Sequence, residues 1–184
     1  MKDDDHFEIN SEKSEYSLIG KIFHWAVLVI FAYGIYKRVD EVNQLENFAL
    51  LKYELIFAIL FLVLLILRFS YMTINQKSFL PEETSRFQKL AARIVHLGMY
   101  ISLAGIAVTG IIIGFLYWSG LKSGLVIEVV IALHELTVTV SYLFIGVHIA
   151  AAVFHRFKND GVWNSMVPIW KEKSIKNRTA EDSI

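Results

Sequence analysis

His134 and His148 lie fourteen positions apart in a stretch that is otherwise nearly all apolar. On an α-helix that interval is about four turns less roughly 40°, with a rise of about 21 Å. Both imidazoles therefore leave the same helix face, at two depths of a membrane-length segment. Ionisable side chains at membrane depth are costly to insert and mark functional pathways. Imidazole is also the commonest metal ligand among side chains, so the pair offers two ligand positions near opposite membrane surfaces. His24, His96 and His155 add further imidazoles. None of them forms the H-x-x-x-H or H-E-x-x-H spacing of helical zinc sites, and His134-Glu135 alone is not such a motif. Nothing resembles a serine nucleophile, a phosphate loop or a nucleic-acid module.

The elements that must position these residues are legible from composition. The chain has 184 residues, 55% of them hydrophobic, and a mean hydropathy of +0.47. Four stretches, at about 17–36, 49–71, 90–118 and 125–154, approach or exceed the ~20 apolar residues that span a bilayer. They are apolar all round, unlike helices lying on a soluble core. The expectation is an all-α, transmembrane four-helix bundle over 17–157, between an N-terminal tail (1–16) and a C-terminal tail (158–184). Gly110-Ile-Ile-Ile-Gly114 has the small-xxx-small spacing of close helix packing, a weak signal. Cysteine is absent, which removes c-type haem attachment, iron–sulfur clusters, disulfides and thiol catalysis.

Net charge is zero, but its distribution is uneven. Four spans put both tails and the central connection on one side. That side collects fourteen Lys and Arg residues, and the other has Lys37, Arg38, Lys52 and Lys122. The positive-inside rule then makes both termini cytoplasmic. The start of the chain, with Asp3 to Asp5, lacks a signal-peptide pattern, so the first apolar segment is expected to remain as a helix.

Topology now gives each histidine a depth. His24 and His96 fall near the cytoplasmic ends of helices 1 and 3. Helix 4 runs inward, so His134 is toward the outer surface, His148 is deeper toward the cytoplasm and His155 is at the inner boundary. His24 and His148 share a level. Low-spin haem b needs two axial nitrogen donors on opposite sides of the ring, and facing helices of a bundle can supply them. For one isolated membrane histidine, an interhelical hydrogen bond is the simpler reading. Five histidines in four helices, two of them stacked on one face, favour ligation.

The same residues resemble the bacterial cytochrome b561 family and its relatives among hydrogenase and formate dehydrogenase cytochrome b subunits. The resemblance rests on Lys21-Ile-Phe-His-Trp25, on His96-Leu-Gly-Met-Tyr100 followed by Gly110, and on His134-Glu135. It continues through Gly146-Val-His-Ile-Ala-Ala-Ala-Val-Phe-His155, Asp160-Gly-Val and Met166-Val-Pro168, and covers roughly 18–168. It implies a bundle holding two b haems that exchange electrons with quinone in the bacterial inner membrane. It also implies His24 and His148 as the inner axial pair, and His134 with a helix 2 histidine as the outer pair. Some members resemble superoxide oxidases, which take electrons from superoxide outside and pass them to ubiquinone.

Helix 2 departs from that pattern. No histidine stands between His24 and His96, and Glu54 occupies the expected ligand position. A carboxylate is a poor axial donor for a low-spin haem. Three arrangements follow: no outer haem, with His134 beside Glu54 as a hydrogen-bonded or ion pair; a five-coordinate haem on His134 with Glu54 distal; or a six-coordinate haem using a neighbour such as Tyr53 or Lys52. The first is favoured, which leaves one inner haem. His96, His155 and Arg156 are the candidates for quinone binding and proton transfer. The expected activity is quinone-linked electron transfer in the membrane, with superoxide oxidation as one form of it. The alternatives are a haem-bearing anchor for a separate redox partner protein, and a haem sensor or carrier without turnover. Lipid and quinone are the expected contacts, and nucleic acid is not.

Overall fold

The computed structural model describes residues 17–75, 84–167 and 170. The expected tail over 1–16, the charged stretch from 171 onward and Pro81 in the long connection lie outside them. Four long helices dominate: α1 (Leu18–Tyr36), α2 (Phe48–Asn75), α3 (Arg86–Trp118) and α4 (Leu125–Lys158). A 3-10 turn, Val42–Glu46, joins α1 to α2, and a short α5 (Val162–Met166) follows α4. No strand occurs among the described residues. All four long helices are long and apolar enough to cross a membrane. At 1.5 Å per residue, α3 and α4 reach about 50 Å, well beyond the ~30 Å hydrocarbon layer. They must tilt or project, and both start or end in polar sequence that favours projection.

Local chemistry sets the helix ends. Ser17 caps α1, accepting the Gly20 amide at 3.1 Å, and its hydroxyl also meets Tyr71 Oη of α2 at 2.8 Å. Ser85 and Gln88 form a reciprocal capping box at the start of α3, which satisfies two amides that no helix carbonyl can reach. Asn159 closes α4 in the left-handed conformation (φ 52°), and Gly161 (φ 85°) turns the chain into α5. The Trp25 indole of α1 then donates to the Met166 carbonyl at 3.4 Å. The beginning of α1 and the end of α4 therefore lie at the same end of the bundle.

Packing is uneven in a way that matters for the site. Consecutive helices pack closely, α3 with α4 most of all, whereas α1 and α4 make far fewer backbone approaches. The most deeply packed helix is α3, and α4 is the least. Small residues let α3 meet its neighbours. A methyl added at Gly98 would overlap the Phe144 ring, and one at Gly105 would lie 2.8 Å from the Thr137 methyl. Gly110 faces His134 and Ala58, and Gly114 faces Leu55, so the small-xxx-small spacing serves contacts with both α2 and α4. Two buried clusters result, one around Leu45, Leu51, Ile113 and Tyr117, the other around Val27, Phe61, Leu65 and Leu103. Large apolar side chains such as Ile101 and Leu143 face outward (64% and 65% exposed), as lipid-facing positions do.

Candidate functional site

At the end of the bundle where α1 begins, each long helix contributes one polar group to a common level. These are His24 from α1, Arg68 from α2, His96 from α3 and His148 from α4. The ring centres of His24 and His148 are 6.3 Å apart, with planes at 60°. His96 approaches His148 more closely, at 5.1 Å and 74°. Arg68 Nη2 donates to His24 Nδ1 at 3.0 Å, and its guanidinium carbon lies 5.2 Å from the Tyr100 ring centre. His24 and His148 are half-buried, whereas His96 is exposed. The His96 Nδ1–H donates to its own helix, to the Ala92 carbonyl at 2.7 Å.

These distances discriminate between ligand pairs. A metal–imidazole bond of about 2.0–2.1 Å, plus roughly 1.1 Å from nitrogen to ring centre on each side, separates two axial imidazoles by about 6.2–6.4 Å. His24 and His148 meet that requirement, and His96 with His148 is too close for it. The pair spans α1 and α4, the two helices whose backbones stay apart. The separation of the two ring centres is therefore that of two imidazoles sharing one metal, with Arg68 engaging His24 Nδ1 in this structure. No three His, Asp or Glu side chains converge on a bare metal ion among the described residues.

At the other level the residues do not fit an axial pair. Thr109 Oγ1 donates to the Gly105 carbonyl at 2.6 Å. Its proton is thereby used, so at 2.8 Å it accepts from His134 Nδ1–H. The imidazole is seated beside Gly110, with Ala58 of α2 across the same gap. Glu54 lies one turn from Ala58 and is tied to Lys37, whose ammonium also sits 4.1 Å from the Phe57 ring centre. Tyr53 hydrogen-bonds Tyr33 at 2.8 Å. The expected pairing of His134 with Glu54 is therefore absent, because each has a nearer partner of matching chemistry. Ala58 of α2, which has no donor atom, lies beside Gly110 as His134 does.

The proposed quinone candidates separate. His96 joins the His24–His148 level, but His155 and Arg156 belong to the end of α4. His155 Nδ1 is 2.7 Å from Asp160 Oδ2, Lys158 Nζ is 3.5 Å from the same oxygen, and Arg156 donates to Asn159 at 3.3 Å. Burial pushes the Asp160 carboxyl up. The hydrogen bonds from His155, Lys158 and the Val162 amide, with the charge of His155, outweigh it and hold the group below the usual carboxylate range. Cationic residues in the last turn also oppose the negative end of the helix dipole. Sequence reasoning gave no role to Arg68, Thr109 or Asp160. For Arg68 the signal was present, as a fixed charge inside an apolar run.

A family model described as prokaryotic cytochrome b561 matches residues 15–168. No curated protein and no solved structure matches the chain.

Proposed function

Because the chain belongs to the prokaryotic cytochrome b561 family, it is a multi-pass membrane protein of haem b electron transfer, and we propose that His24 and His148 hold its one haem. The observation that carries this reading is the 6.3 Å separation of the two rings across the α1–α4 gap. Haem b, when bound, supplies a one-electron carrier. The protein supplies two imidazole donors from facing helices and an apolar wall from the rest of the bundle. At the opposite level Thr109 engages His134 Nδ1 and Lys37 pairs with Glu54, so Glu54 is not free to join His134 as a second donor there.

Quinone is the proposed exchange partner, at the end of the bundle shared by His24, His148 and His155. Quinone chemistry moves protons with electrons, and an imidazole titrates near neutral pH. His155, oriented by Asp160 at the membrane boundary, is placed to carry a proton between the bilayer and water. His96 is the nearer candidate to the ligand pair. By the distribution of Lys and Arg this end faces the cytoplasm, which supports reading both termini as inside a bacterial inner membrane. Superoxide oxidation at the outer face requires a carrier there, so its absence is expected of a one-haem protein.

The test is reduction of purified, haem-loaded protein by added ubiquinol, followed by its absorption spectrum. The wild-type chain should be reduced, and His148→Ala should lose the low-spin spectrum because one of two axial donors is gone. An unchanged spectrum in His148→Ala would sink the assignment. Failure of quinol to reduce intact low-spin haem would sink the quinone reading alone.

A further inference from the structure

At the end of the bundle away from the His24–His148 level, two tight turns bring opposite charges to a cavity of about 300 Å³. Gly120 takes the left-handed conformation (φ 79°) just past α3. The Leu121 amide then reaches the Leu116 carbonyl at 2.9 Å, and the Gly120 amide reaches that of Tyr117 at 3.1 Å. This paired closure fixes the course of the chain beyond the helix, and so sets Lys122 at the cavity. The 3-10 turn Val42–Glu46 brings Glu46 to it from the other side. Behind Glu46 the Asn47 side chain caps α2, accepting the Ala49 amide at 3.0 Å. The Phe48 and Trp118 rings, edge to face at 5.5 Å, form an aromatic wall.

The polar groups here are under-used. Tyr117 lines the same cavity and is only 7% exposed. Among the described residues its hydroxyl makes no hydrogen bond, and Oη is not enclosed by protein. A polar group in a buried side chain is costly to leave without a partner, and the cavity is where one can enter. Lys122 Nζ stands 3.5 Å from Glu46 Oε1, beyond the roughly 2.7–2.9 Å of a close charge-assisted hydrogen bond. Exposed pairs of this kind are worth little, so both groups keep donors and acceptors for a ligand. A plain anion would meet Glu46, and a plain cation would meet Lys122. A molecule carrying both charges matches the site. Trp and Tyr at a helix end mark the headgroup level of a membrane, where such molecules are lipids.

We propose that this cavity binds the headgroup of a zwitterionic membrane phospholipid with a primary ammonium, Glu46 taking the ammonium and Lys122 and Tyr117 the phosphate. The ammonium has N–H groups to donate to the carboxylate, and the phosphate oxygens accept from Lys122 Nζ and the Tyr117 hydroxyl. The aromatic wall favours the cationic end of the headgroup as well. The volume lies at the lower end of the range for small-molecule sites, which suits a headgroup whose acyl chains remain in the bilayer.

The experiment counts lipids on the full-length protein in detergent by native mass spectrometry, titrating phosphatidylethanolamine, phosphatidylcholine and phosphatidylglycerol. Wild type should bind phosphatidylethanolamine on the order of 10-fold more tightly than phosphatidylcholine, whose ammonium has no N–H to donate. Glu46→Ala, a change at an exposed side chain, should erase that preference. Lys122→Gln should weaken both lipids and keep it. Tyr117→Phe should weaken both on the order of 10-fold and leave lipid-free stability unchanged, since the hydroxyl has no protein hydrogen bond to lose. Equal binding of the two lipids by wild type, or a preference that survives Glu46→Ala, would overturn the proposal. So would tighter binding of phosphatidylglycerol, the mark of a plain anion site. Water-soluble glycerophosphoethanolamine binding as tightly as the lipid would also overturn it, by assigning the cavity to a free headgroup.

Discussion

Replacing Gly98 by alanine should damage the bundle out of proportion to one methyl group. The Phe144 ring of α4 lies directly on Gly98, so a Cβ there would overlap three ring atoms. Either the ring rotates away or α3 and α4 separate. Overpacking of this kind costs about 1–3 kcal/mol, and since the overlap is with the far end of a ring that can turn, the middle of that range is expected. A loss of about 2 kcal/mol lowers the folded-to-unfolded ratio roughly 30-fold. Phe144 stands one turn before His148, so the same strain should weaken haem retention. Two other glycines serve as controls. An added Cβ at Gly146 meets nothing within 4 Å, and at Gly110 it makes ordinary contact with His134 at 3.7 Å. Both alanine variants should fall within about 0.5 kcal/mol of wild type. Denaturant unfolding in micelles, extrapolated linearly, measures each. Shortening the obstacle in Gly98→Ala/Phe144→Leu should show a favourable coupling of about 1 kcal/mol or more. The reasoning is refuted if Gly98→Ala is as stable as Gly146→Ala, or if the double variant shows no coupling.

Thr109→Val keeps the shape of the side chain but removes the acceptor of His134 Nδ1–H. Interhelical hydrogen bonds in membranes are worth about 0.6 kcal/mol on average and up to ~1.7, so unfolding should ease by about 1 kcal/mol while Thr109→Ser stays near wild type. Equal loss in both variants would place the effect in packing instead. Asp160 gives a pH dependence with a defined sign. Its folded-state pKa lies below the ordinary 3.8, so its stabilising contribution is full above that value and fades as pH falls through the lower folded one. The stability gap between wild type and Asp160→Asn should hold steady above about pH 5 and close below about pH 4, as a pH series of unfolding midpoints would record. A gap unchanged down to pH 2 contradicts the role of the carboxylate.

Much of the scaffold was legible because membrane helices obey few rules. Length and apolarity located all four spans, and the structure extends α2 to Asn75 and α4 to Lys158, since polar residues beyond the hydrocarbon continue a helix without cost. The meeting of His24 with His148 followed from depth along antiparallel helices, which is set by 1.5 Å per residue. Rotation about the helix axes was not legible in the same way. The family resemblance placed Glu54 at the ligand position opposite His134, yet Glu54 pairs with Lys37, and Ala58 is the α2 side chain that lies beside Gly110 as that imidazole does. The partners Thr109 and Arg68 were hidden for a related reason. A hydrogen bond between helices depends on crossing angles and rotamers that no single span encodes, although a lone arginine in an apolar run marked its own position.

The central claim is that one haem sits between α1 and α4 and none at His134. Haem b per polypeptide, with the reduced-minus-oxidised spectrum, tests it in wild type and in His134→Ala. The account predicts one low-spin haem in both proteins. Two haems in wild type, falling to one in His134→Ala, would contradict it and restore a complete electron path across the membrane.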